Sequence, residues 1–75
     1  MMSNIVDLNV KPTMSSKELV EFRLLFKLSQ KGLAGVLGVS WHAVDLWESG
    51  QRKIPETTYR ILKLFMKYPS LITDF

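Results

Sequence analysis

Few side chains in this sequence have chemistry to offer, and three of those lie close together. Ser40, His42 and Asp45 are the residue types of a hydrolytic triad. Read as helix, they fall within two turns of one short segment, and the sequence supplies neither an oxyanion site nor a pocket beside them. Ser40 is better placed as a helix cap than as a nucleophile. His42 is the single histidine, and there is no cysteine. A zinc site built from protein ligands lacks its parts, and so does a disulfide framework. The reading is a non-enzyme that needs no metal, cofactor or small-molecule ligand.

What remains is charge and aromatic surface. Ten Lys and Arg against seven Asp and Glu leave a net charge of +3. That is mildly basic, compatible with nucleic acid or an anionic surface, and far from a polybasic tail. Gly50-Gln51-Arg52-Lys53-Ile54 forms a polar, basic loop. Arg60, Lys63 and Lys67 follow one side of a later helix and read as a solvated face. The two tryptophans read differently. Trp47 lies one helical step from Val44 and belongs to a core. Trp41 follows a cap and points outward, where a neighbour or a ligand could cover it.

These residues need elements to position them. The 75 residues allow one small domain. With 47% hydrophobic and 23% charged residues the composition is that of a folded chain. A domain of this size buries only about 60% of its unfolded surface, so its core is marginal alone. No run of about 18 apolar residues is present to span a membrane. The start lacks the basic and apolar regions of a secretory signal. The expectation is a cytoplasmic protein with no membrane partner, and the lack of cysteine suits a reducing compartment.

Residues 1–14 read as an N-terminal arm. Val6, Leu8 and Val10 alternate with Asp7 and Asn9, a period of two, before Lys11-Pro12-Thr13 breaks the chain. Two readings stay open: a frayed tail, or a short strand that pairs with a second subunit or packs on the body. Residues 15–75 read as an all-α bundle of four to five short helices. Ser15 and Glu18 have the spacing of a capping box. Leu19, Phe22, Leu25 and Phe26 then recur at helical spacing, with an end near Lys27 or Leu28. Ser29 caps a helix from Gln30 to Leu37, with Leu33, Ala34 and Leu37 as its stripe. Gly38 stops it. Ser40 caps a helix from Trp41 to Ser49, and Gly50 stops that one. Pro55 suits the first position of a helix running to Lys67, with Ile61, Leu62 and Phe65 inward. Tyr68-Pro69 ends it. Ser70 to Phe75 is an apolar stub.

Gln30 to Ser49 is the informative stretch. Two short helices joined by a three- to four-residue turn make a helix-turn-helix. The geometry asks for a small residue at the crossing, here Ala34, and for a permissive turn at Gly38. It also asks for apolar locks, here Val39, Val44 and Trp47. All five positions are suitably filled.

The residues Leu28-Ser29-Gln30, Leu33-Ala34, Leu37-Gly38-Val39-Ser40, Val44, Trp47-Glu48-Ser49-Gly50 and Pro55 carry a family resemblance. The chain resembles the Cro/repressor (XRE) family of helix-turn-helix regulators, from Ser16 to about Tyr68. Its size and its Trp-Glu-Ser-Gly loop are also similar to small autorepressors of phages and plasmids, including those associated with anti-CRISPR genes. The resemblance implies a lambda-repressor-like fold whose second motif helix enters the major groove. It implies base contacts from Ser40, Trp41 and His42, and from Asp45, Leu46 and Ser49 further along. It implies phosphate contacts from Gln30 and Lys31 at the start of the first motif helix, and from Arg52 and Lys53 in the loop. It also implies an ion pair between Arg23 and Glu48. Trp41, Asp45 and Leu46 depart from the Gln, Arg, Ser or Thr that relatives often carry on that face.

Leu64, Tyr68, Leu71, Ile72 and Phe75 are more apolar than a small monomer needs; two uses stay open for each, completing the core or forming a dimer patch. The expected function is a sequence-specific transcriptional regulator, an autorepressor that binds an inverted-repeat operator in double-stranded DNA as a homodimer. The alternative is a protein-interaction module of antitoxin type. The apolar stub and the Val6, Leu8, Val10 segment would carry it.

Overall fold

The computed structural model describes residues 14–73. The arm segment with Val6, Leu8 and Val10 lies outside the described residues, as does Phe75. Within the described range the protein is an all-α bundle of five helices, and no strand occurs. They are α1 (Ser16–Leu25), α2 (Gln30–Leu37), α3 (Trp41–Glu48), α4 (Glu56–Lys67) and α5 (Ser70–Thr73).

Serine opens each of the first three helices. Ser15 Oγ accepts from the Glu18 amide at 3.1 Å, and Glu18 Oε1 accepts from the Ser15 amide at 2.7 Å. The capping box expected from the sequence is therefore complete. Ser29 Oγ accepts from the Gly32 amide at 2.9 Å, and Ser40 Oγ from the Ala43 amide at 3.2 Å. Each bond satisfies an amide that the helix itself cannot. Pro55 stands just outside α4 as its cap, one position earlier than its sequence placement.

The first three helices end in left-handed residues. Gly38 and Gly50 take φ of 73° and 81°. After Gly50, the Gln51 amide donates back to the Leu46 carbonyl at 3.0 Å. α1 ends the same way without a glycine. Lys27 takes φ of 56°. Its amide donates to the Leu24 carbonyl, and the Leu28 amide to the Arg23 carbonyl, both at 3.0 Å. This paired pattern satisfies the last carbonyls and turns the chain sharply. It is why α1 stops at Leu25, short of the expected Lys27 or Leu28. A side chain in that region costs about 1 kcal/mol.

Leu19, Leu33, Val44 and Leu62 are completely enclosed, one from each of the four longer helices. Phe22, Ala34, Trp47, Ile54 and Phe65 surround them. Met14 is also buried, so the packed body includes a residue ahead of the sequence boundary at Ser15. Two residues expected inside are outside. Leu25 is 74% exposed and Ile61 40%. On α1 the inward row is Leu19, Phe22 and Phe26, whose two rings stack at 4.5 Å. At about 100° per residue, Leu25 falls roughly 120° around the helix from Leu19. On α4 the inward row is Thr58, Leu62 and Phe65, which leaves Ile61 at its edge.

Candidate nucleic-acid interface

The site is assembled around the first turn of α3. Gly38 turns the chain, Ser40 starts the helix, and Val44 and Trp47 anchor it in the core. That anchoring fixes which way the opposite side faces. Ser40, Trp41 and His42 are exposed there, Trp41 to 46%. The Trp41 and His42 rings lie 6.3 Å apart and tilted. Asp45 and Leu46 are only half-exposed, while Ser49 is exposed at the far end. Two of these hydroxyls already have backbone partners. Ser40 Oγ caps α3, and Ser49 Oγ donates to the Leu46 carbonyl at 3.2 Å.

Lys31 at the start of α2 and Arg52 and Lys53 after α3 are all exposed. Arg52 and Lys53 share a shallow cleft with Ser15, Ser16 and Gly50. Cations of this kind, fixed on short loops and helix starts, suit phosphate oxygens.

A chain of hydrogen bonds runs beneath this surface. Arg23 grips Glu48 with two bonds, Nε to Oε2 at 2.7 Å and Nη2 to Oε1 at 3.1 Å. Arg23 Nη1 also donates to the Leu28 carbonyl at 3.1 Å. The ion pair implied by the family resemblance is therefore present, with side chains only 18% and 7% exposed. The hydrogen bond to Glu48 raises the Arg23 pKa above the ordinary guanidinium value; desolvation opposes the rise and the Glu48 charge adds to it. The cation is thus held charged.

The chain continues to the surface. Gln30 Nε2 donates to Glu48 Oε1 at 3.0 Å, and Trp41 Nε1 donates to Gln30 Oε1 at 3.1 Å. The sequence reading gave the Gln30 side chain to a phosphate. In the structure both ends of its amide are engaged within the protein, so it positions Trp41. Sequence reasoning missed this link, which needs residues from α2 and α3 brought face to face. Its one legible signal was a glutamine at a helix start with a donor-bearing aromatic at the next helix start. Trp41 thus remains 46% exposed while its N–H is fixed.

Trp47 shows the opposite balance. It is 4% exposed, and among the described residues its buried Nε1 has no acceptor. Among the described residues no group of His, Cys, Asp and Glu could hold a metal ion, and no helix is long and apolar enough to cross a membrane. Of the expected dimer residues, Leu64, Tyr68 and Leu71 are exposed, to 52%, 50% and 41%. Ile72 is half-buried and packs on the core, which makes it an internal residue rather than a free contact. No family model, curated protein or solved structure matches the chain.

Proposed function

We propose that this protein is a sequence-specific DNA-binding regulator that presents the first turn of α3 to the major groove. The observation that carries this reading is the hydrogen-bonded chain from Arg23 through Glu48 and Gln30 to Trp41. It fixes an exposed aromatic side chain on a helix-turn-helix whose other face is core. Rigid placement of a few surface groups is what base readout requires. Lys31, Arg52 and Lys53 flank that face and supply cations for phosphates.

In this reading Trp41 offers its apolar face to a thymine methyl or a sugar, and His42 a ring nitrogen to a base edge. Ser40, Asp45, Leu46 and Ser49 set the shape of the surface rather than the strongest contacts. Leu64, Tyr68 and Leu71 form the contact between two copies. A two-fold dimer then spaces its recognition helices about 34 Å apart and reads an inverted repeat. Occupying a promoter in this way represses it, and the protein's own promoter is the proposed target.

Fluorescence anisotropy on labelled duplex DNA over a series of salt concentrations tests the reading. Affinity should fall with salt at a log–log slope of about −0.9 for each phosphate neutralised. An absence of binding at low salt would reject DNA as the ligand.

A further inference from the structure

A groove of about 300 Å³ lies between α1 and α4, with no lining residue from α3. Met14, Phe22, Leu25, Tyr59 and Met66 form its apolar surface. Glu18 and Glu21 add two carboxylates, and no cation lines it. It holds the most exposed large apolar side chain among the described residues, Leu25, with Met66 at 45% exposure. Apolar surface of this kind calls for a cover.

The chain carries a suitable cover. Met14 is buried and lines the groove, so the preceding segment leaves from the groove's own edge. In that segment Val6, Leu8 and Val10 alternate with Asp7 and Asn9, a pattern that puts the three apolar residues on one side wherever a chain is extended. Lys11, just before Pro12, is the one Lys or Arg among residues 1–13, and it can meet the two glutamates. Reach is sufficient. At about 3.3 Å per residue, residues 6–10 extend over roughly 13 Å. Glu18 to Leu25 rises about 10 Å along α1. Asp7 and Lys11 cancel in charge, so the segment has no net attraction to phosphates. A tether this short holds it near the groove at an effective concentration on the order of millimolar, ahead of a second copy.

We propose that residues 6–10 dock in the α1–α4 groove of their own molecule, with Val6, Leu8 and Val10 against Leu25 and Met66 and Lys11 facing Glu18 and Glu21. The docked segment enlarges a marginal core and leaves the α3 face open. This inference stands apart from the DNA-binding reading.

The sequence has no cysteine, so disulfide trapping starts from a clean background. Leu25→Cys is combined in the full chain with a single cysteine at position 6, 7, 8, 9 or 10. Dilute protein is oxidised with diamide and separated on a non-reducing gel. The expected result is a bond within one chain whose rate depends on position. The cysteine nearest position 25 among those replacing Val6, Leu8 and Val10 should react about tenfold faster than those replacing Asp7 and Asn9, because a disulfide needs Cα atoms within about 7 Å and docking brings one side of the segment there. Equal rates at all five positions would overturn the proposal, since they describe an undocked segment. Disulfide-linked dimers as the main product would also overturn it, in favour of exchange between copies.

Discussion

The two ends of α3 carry the same residue type and use it in opposite ways. Trp41 is 46% exposed with its N–H held by Gln30, whereas Trp47 is 4% exposed with its N–H unmatched among the described residues. A polar atom left unpaired inside costs roughly 1–3 kcal/mol, so Trp47 is retained for the volume it fills. A satisfied N–H on an exposed ring adds no core; it fixes orientation, which the proposed recognition role requires. One eight-residue helix is thus divided into an end that is held and an end that is presented.

The largest effect should separate those ends. Trp47→Ala removes a buried ring and should cost about 3–5 kcal/mol, enough to unfold much of a domain this small. Trp47→Phe loses less, because it also removes the unmatched N–H. Trp41→Ala should change thermal stability little yet weaken operator binding by about tenfold, a loss of roughly 1–2 kcal/mol. Thermal melts and binding curves on the same three variants check this. Loss of stability in Trp41→Ala equal to that in Trp47→Ala would erase the division.

Next comes the ion pair that joins α1 to the end of α3. Arg23→Ala strands the mostly buried Glu48 carboxylate and should destabilise by about 3 kcal/mol. Lys17→Ala, on the exposed side of α1, should stay within about 0.5 kcal/mol. Urea unfolding midpoints give the difference directly. Because Glu48 also holds Gln30, Arg23→Ala should weaken DNA binding even where the protein remains folded.

A smaller effect tests the helix ends. Lys27→Gly relieves a left-handed side chain and should stabilise by up to about 1 kcal/mol. Gly38→Ala imposes the same strain and should destabilise by about 1 kcal/mol. Smallest of all is Gly35→Ala. Gly35 is exposed within α2, and a Cβ there meets nothing within 4 Å. Better helix propensity should add roughly 0.5–1 kcal/mol. Melting temperature resolves all three, and a fall in Gly35→Ala would mean that the open space around α2 is misread.

These contrasts also show what a sequence can disclose. The serine caps, the glycine stops at Gly38 and Gly50, and the inward Val44 and Trp47 are local signals, written within a turn of where they act. The Arg23–Glu48 pair came from family resemblance, since no local rule joins residues so far apart in the chain. Lys27 was hidden because its left-handed turn lacks the glycine that marks the other two. Leu25 and Ile61 were misplaced because apolar spacing alone does not say which of two adjacent rows faces inward. The Gln30 bridge was invisible for a different reason: it exists only after α2 and α3 meet.

The central claim is that the exposed end of α3 reads a DNA sequence. Selection of binding sites from a random duplex pool tests it most directly, with wild type and Trp41→Ala carried through in parallel. The account predicts an inverted repeat enriched by the wild type, with half-sites about one helical turn apart, and markedly weaker enrichment by Trp41→Ala. No enriched sequence with wild-type protein, or the same enrichment with both, would contradict it.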